Sequence, residues 1–241
     1  MVDTNSVASP QRNYGGSEIQ KIYKVSRLDE PMLINADWNK PQWHSVEPLN
    51  IALFMGAKPD HLPKTQAKVL YDQEHIYIIF RVEDRYVRAI ETQRHGKVWE
   101  DSCVEFFLTP GSDISNGYFN VETNCIGTIL LHYQPRPDEN IRPLKPAECN
   151  RLEIATSIPK KVIDPEIAGP LTWTLEYCVP IEIFGEYRQV IRPAPGVKWR
   201  ANFYKCAETV SHPHWLTWSL VENDVPNFHL PEYFGTLEFV D

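Results

Sequence analysis

Trp99-Glu100-Asp101-Ser102-Cys103-Val104-Glu105-Phe106-Phe107-Leu108 decides the fold class. Over residues 103–108 the side chains alternate. Val104, Phe106 and Leu108 face one way, and Cys103, Glu105 and Phe107 the other, the period-two pattern of a strand. Residues 118–133 alternate twice around Asn124-Cys125-Ile126-Gly127 and predict a hairpin that places Asn120, Glu122 and Asn124 on one side. Further out, Val69-Leu70-Tyr71 and Ile76-Tyr77-Ile78-Ile79-Phe80 flank the polar turn Asp72-Gln73-Glu74-His75, a second hairpin signal. Residues 171–179 set Leu171, Trp173, Leu175 and Tyr177 against Thr172, Thr174 and Glu176. Residues 198–207 and 233–239 complete the strands. One short helix is expected near 180–187, with Pro180 suited to its first turn. This pattern predicts an all-β fold, a two-sheet antiparallel β-sandwich of jelly-roll type.

Composition narrows the function. The hydrophobic share of 42% and charged share of 23% exclude wholesale disorder. Residues 1–20, rich in Ser, Asn, Gln and Gly, read as a flexible tail, and 21–241 as a single domain. Residues 134–149 read as one irregular surface loop. A net charge of −8 disfavours phosphate backbones and anionic lipid, so neither nucleic acid nor membrane is expected as a partner. No apolar run approaches the ~18 residues of a membrane span. Met1-Val2-Asp3-Thr4-Asn5-Ser6 lacks the basic-then-apolar order of a signal peptide. The expectation is a cytoplasmic location, or a periplasmic or extracellular one if the natural chain starts earlier. The five cysteines have no CxxC spacing and read as buried thiols.

Reaction chemistry finds little support. There is no GxSxG elbow and no phosphate-cradling glycine loop. Asp101 and Glu105, on one strand face, would lie roughly 13 Å apart, too far for a glycosidase pair. Glu105 and Glu122 on neighbouring strands could be closer, so hydrolysis is disfavoured without being excluded. Ser211-His212-Pro213-His214 holds an HxH pair with no identifiable third zinc ligand. Glu83, Asp84 and Asp101 offer oxygens of the kind calcium takes. The informative group is an indole, Trp99, beside a polar face carrying Glu105, Asn120, Glu122 and Asn124. Flat apolar rings and bidentate polar groups are what a sugar requires.

On these residues the sequence resembles the family-9 carbohydrate-binding modules, within the wider DOMON-like β-sandwiches. Trp99 to Phe107 is similar to that family's W-x-D-x-x-V-E-hydrophobic-F core. Thr217-Trp218-Ser219, Phe228 and Pro231-Glu232-Tyr233-Phe234-Gly235-Thr236-Leu237 are similar to its closing strand. Asn35-Ala36-Asp37-Trp38 with Trp43, and residues 70–84, fit the opening half more loosely. The resemblance covers about residues 20–241. It implies a non-catalytic protein that binds the end of a glucan or xylan chain, with carbohydrate as partner and glycoside hydrolases as companions in polysaccharide breakdown. Trp99 and Phe228 would sandwich the sugar, and Glu105 would grip its hydroxyls. Asn120 stands where the family has a basic residue, Glu122 shares its face, and Asn223 and Asn227 compete for a polar loop position. No cofactor is required, and a structural calcium is an option for Asp84 and Asp101. The alternatives are a haem or electron-transfer module on the same sandwich, and a protein-interaction domain whose sugar site has decayed.

Overall fold

The computed structural model describes residues 21–241, so the tail expected over 1–20 lies outside the described residues. In chain order the strands are β1 (Ile22–Arg27), β2 (Leu49–Ile51), β3 (Leu53–Phe54), β4 (Lys64–Tyr71), β5 (His75–Ala89), β6 (Cys103–Thr109) and β7 (Tyr118–Asn124). They continue with β8 (Ile129–Gln134), β9 (Arg142–Pro143), β10 (Glu153–Thr156), β11 (Ile163–Pro180), β12 (Lys198–Ala207), β13 (His214–Thr217) and β14 (Gly235–Phe239).

The strands make two layers. β10, β11, β5 and β4 lie side by side, with β2 also on β4, and form one layer. β14, β12, β6, β7, β8 and β9 form the other, with β13 bridging β12 to β3. β1 joins them. Ile22–Val25 run parallel to β14, and Ser26 and Arg27 run parallel to β4. The remaining ladders are antiparallel, so the sheet is mixed where a purely antiparallel one was expected. A strand that crosses from one layer to the other must take whatever direction its neighbours have, and here both run with it.

Alternation places the core. Val104, Phe106, Leu108, Phe119, Val121 and Leu131 from the second layer meet Ile76, Ile78, Phe80, Val82, Trp173 and Leu175 from the first, all buried. Burying each large side chain contributes roughly 1.5–3 kcal/mol. Glu176, expected on a polar outer face, is buried as well. The segment ahead of β2 folds over it. Glu176 accepts hydrogen bonds from Trp43 Nε1 at 2.9 Å and from the backbone N–H groups of Asn35 and Ala36 at 2.9 and 2.8 Å, and it pairs with Lys40.

The helix expected near 180–187 is a 3-10 turn, Ile181–Glu186, preceded by Pro180 at the end of β11. Among the described residues two one-turn α-helices occur instead, α1 (Pro41–His44) and α2 (Pro146–Cys149). Each has Pro in its first turn, where the missing N–H costs nothing. α2 and β9 also give structure to residues 134–149, expected to be irregular. All five cysteines are buried and unpaired, in keeping with their reading as small hydrophobes.

A cleft on the outer face of the second sheet

The face of the second layer turned away from the core carries the candidate site. β6 sets Glu105 opposite Glu122 of β7 and opposite Tyr204 of β12, while Phe107 lies opposite Asn120. Period-two alternation therefore brings Cys103, Glu105, Phe107, Asn120, Glu122, Tyr204 and Cys206 to one surface. The stretch between β13 and β14 crosses this surface and packs Val221, Phe228 and Phe234 against Phe107, Tyr118 and Tyr204. The 3-10 turn Val98–Glu100 sets Trp99 at the rim. A cleft of about 340 Å³ remains between these elements.

Trp99, Glu105, Asn120, Glu122, Asn227 and Phe228 all line this one cleft. Their exposure differs from the sequence expectation. Glu105, Asn120 and Glu122 retain 1%, 1% and 4% of their accessible surface, so the polar groups form a buried floor and not an open patch. Asn124, expected beside them, turns to hold Asp101 Oδ2 and the Glu91 carbonyl, each at 2.9 Å. Asn223 is not among the lining residues; its side chain donates to the Val225 carbonyl. Phe228 stacks on Tyr204 with ring centres 4.1 Å apart, which uses one of its faces and leaves the ring 8% exposed.

Several lining residues carried no sequence signal. Trp215, half-buried, donates from Nε1 to Glu208 at 2.9 Å, and both side chains border the cleft. β13, which carries Trp215, is four residues long, too short for alternation to register. His132, Gln134 and His229 complete the polar wall. A relay runs along it. Asn120 donates to Glu122 Oε1 at 2.8 Å, Gln134 donates to Asn120 at 3.4 Å, and Gln134 and Tyr118 both meet His229 Nδ1. His132 Nε2 is buried without a partner.

Burial dominates the electrostatics. It pushes the Glu105 carboxyl well above the usual carboxylate range, with Cys206 and the negative charge of Glu122 acting in the same direction. Glu122 is pushed up from 4.5 to about 7 by burial, against the hydrogen bond from Asn120 and with a contribution from Glu208. Burial also draws His132 down to about 4, so this imidazole is neutral at ordinary pH. A carboxyl raised in the folded state adds stability below about 4.5 that is lost as the pH rises through about 7. Glu122→Gln keeps an acceptor for Asn120. It should therefore gain on the wild type by roughly 1–3 kcal/mol between about pH 5 and about pH 8 in denaturant unfolding. An identical difference at both pH values would mean that Glu122 ionises freely.

The two aspartates offered to calcium are engaged elsewhere. Asp101 is fully buried and accepts from the Ile90 and Glu91 N–H groups and from Asn124, each at 2.9 Å. Asp84 Oδ1 meets His61 Nε2 and the Arg85 N–H, both at 2.7 Å, and its Oδ2 faces the buried Lys205 ammonium at 3.7 Å. Calcium takes about six to eight oxygens. Neither aspartate belongs to a set of three ligand side chains among the described residues, and Lys205 already supplies positive charge beside Asp84. Of the HxH pair, His214 is bound to Lys205 Nζ at 2.8 Å and His212 stacks on Tyr86.

The fold has solved counterparts. A structure of a candidate carbohydrate-binding protein from Bacteroides uniformis is 26% identical and superposes with a TM-score of 0.82 over 92% of this chain and 100% of that one. Two structures of a family-9 carbohydrate-binding module from Caldicellulosiruptor kristjanssonii, one with cellotriose and one with glucose, are 14% identical with TM-scores of 0.63. They cover 91% of this chain and 93% and 95% of theirs. No curated protein sequence matches the chain. The family model for carbohydrate-binding family 9 matches residues 34–239. With that match spanning both layers of the sandwich and every residue of the cleft, the chain belongs to carbohydrate-binding family 9.

Proposed function

We propose that the cleft captures the terminal sugar of a glucan or xylan chain without cleaving it, in the service of glycoside hydrolases that degrade the polysaccharide. Family membership makes the chain a non-catalytic carbohydrate-binding module. The proposal concerns the ligand and how it is held. One observation carries it: six residues from three separate stretches of sequence converge on a single cleft that combines indole, benzyl, carboxyl and carboxamide groups. That the Caldicellulosiruptor kristjanssonii module takes cellotriose and glucose supports a glucan-type ligand.

In this reading Trp99 stacks on one face of the sugar ring, and Phe228 or the more open Trp215 bounds the other. Glu105 and Glu122 meet the hydroxyls. Stacking contributes ~0.5–1.5 kcal/mol per ring beyond area burial, and a hydrogen bond to a neutral buried carboxyl or carboxamide ~0.5–1.5 kcal/mol. Set against the immobilisation of a sugar, these give dissociation constants of about millimolar to micromolar. The covered face of Phe228 favours the weaker end. Calorimetric titration with cello- and xylo-oligosaccharides should show saturable binding to the intact chain, and prolonged incubation should release no new reducing ends. Turnover would overturn the binding-only reading. Failure of every glucan and xylan oligomer to bind would overturn the ligand assignment.

A further inference from the structure

The cleft floor holds a group of atoms that sugar binding leaves unexplained. Cys103 of β6 and Cys206 of β12 are directly opposed across their ladder, on the same face as Glu105. One carboxylate oxygen of Glu105 and the two thiol sulfurs all lie within 4.8 Å of one another. Cys206 donates to Glu105 Oε1 at 3.0 Å and approaches the Trp99 carbonyl at 3.5 Å. All three residues are buried to 1% exposure or less, yet Cys206 and Glu105 border the cleft. The group therefore lies at the bottom of an opening. Among the described residues it is the only set of three ligand-type side chains so placed.

Cys125, Cys149 and Cys178 need no explanation beyond burial as small hydrophobes. Two thiols beside each other, with a carboxylate bonded to one, have a chemistry that an apolar filler lacks. Sulfur donors exclude calcium and magnesium, which take oxygen. Two thiolates and one carboxylate oxygen suit a borderline-soft divalent cation. With metal–sulfur bonds of ~2.3 Å and metal–oxygen bonds of ~2.0–2.2 Å, the edges of such a tetrahedron measure roughly 3.4–3.8 Å. The observed 3.0 Å sulfur–oxygen contact and the 4.8 Å limit bracket that spacing, so closure needs only small shifts.

We propose that Cys103, Cys206 and Glu105 form a binding site for one thiophilic divalent cation of the zinc class at the floor of the cleft. Binding replaces the two thiol protons and any proton on the Glu105 carboxyl, all of which pass to solvent as the metal–sulfur and metal–oxygen bonds form. The fourth corner faces the cleft, where a water molecule completes the shell. Occupancy takes the Glu105 carboxylate away from any sugar hydroxyl. The proposal does not rest on the sugar-binding reading, although a bound cation and a sugar would compete for Glu105.

The test uses the reduced, intact chain, freed of metal, with cadmium as the optical probe. Cadmium should raise an ultraviolet thiolate-to-metal charge-transfer band that saturates at one ion per chain, and zinc should bleach it. Cys103→Ala and Cys206→Ala should each weaken cadmium binding at least about tenfold. A variant with Cys125, Cys149 and Cys178 all changed to Ala should keep the band. That variant also removes the competing Cys149–His95 contact at 3.8 Å. Should the Cys103 or Cys206 variants fail to fold, cadmium-113 resonance of the wild type decides, with a shift for two-sulfur coordination expected. No saturable band, a band that survives loss of Cys103 and Cys206, a band lost with the other three cysteines, or a resonance lacking two-sulfur character each overturns the proposal.

Discussion

Trp99→Ala is expected to weaken binding of cello-oligosaccharides by about thirtyfold, the equivalent of ~2 kcal/mol from stacking and lost apolar contact. Its cost to the fold should be smaller than for a core indole. Trp43, Trp173 and Trp199 are fully buried, and replacing any of them by alanine should cost ~3–5 kcal/mol. Trp99 is half-buried at a rim, packed against the cluster around Phe107 and Tyr204 without being enclosed by it. Its removal should lower the unfolding free energy by no more than ~2 kcal/mol. Paired calorimetry and denaturant unfolding separate the two effects. A large stability loss with binding retained would make Trp99 a structural residue and remove it from the site.

Asp101→Ala should produce a large stability loss, ~3 kcal/mol or more and comparable to truncation of a core indole, because it strands several buried donors at once. The Ile90 and Glu91 N–H groups and the Asn124 amide all end on this carboxylate. These bonds tie the end of β5 and the turn after β7 to the loop that leads from Trp99 into β6. The loss should read the same in denaturant unfolding with and without a chelator, since Asp101 works through N–H donors. A loss that appears only with calcium present, and that the chelator abolishes, would return Asp101 to a metal site. Trp99 sits two residues away, so Asp101→Ala should also weaken sugar binding in whatever fraction remains folded.

Most strands were legible because burial is one-sided or alternating and the sequence records it. Residues 103–108 and 118–133 pair as their alternation requires, with Glu105 opposite Glu122. The mixed character of the sheet was not legible. β1 is six residues whose direction is set by strands near both ends of the chain, and no local pattern encodes that. The burial of Glu176, Glu105 and Glu122 was missed for a related reason. Each faces away from the sandwich core, as alternation predicts, yet a distant segment covers that face. Residues 32–46 cover Glu176, and residues 221–234 cover the cleft floor. Only tertiary packing distinguishes a solvated polar face from a roofed one.

The six cleft residues came from two sources. Alternation placed Glu105, Asn120 and Glu122 together, with the Trp99 indole read beside them, whereas Phe228 and Asn227 rested on resemblance to a family. The remainder of the wall, above all Trp215 and His132, sits on short or ordinary-looking stretches. Its chemistry emerges only when the strands are side by side. Cys103 and Cys206, about a hundred positions apart in the chain, meet for the same reason.

Resonances of the tryptophan indole N–H groups test the sugar-binding account most directly. Titrating cellotriose into nitrogen-15-labelled protein should shift the indole signals of Trp99 and Trp215 in a saturable way, while those of Trp43, Trp173 and Trp199 stay fixed in the core. Saturable shifts elsewhere on the molecule, with both of those signals unmoved, would contradict it.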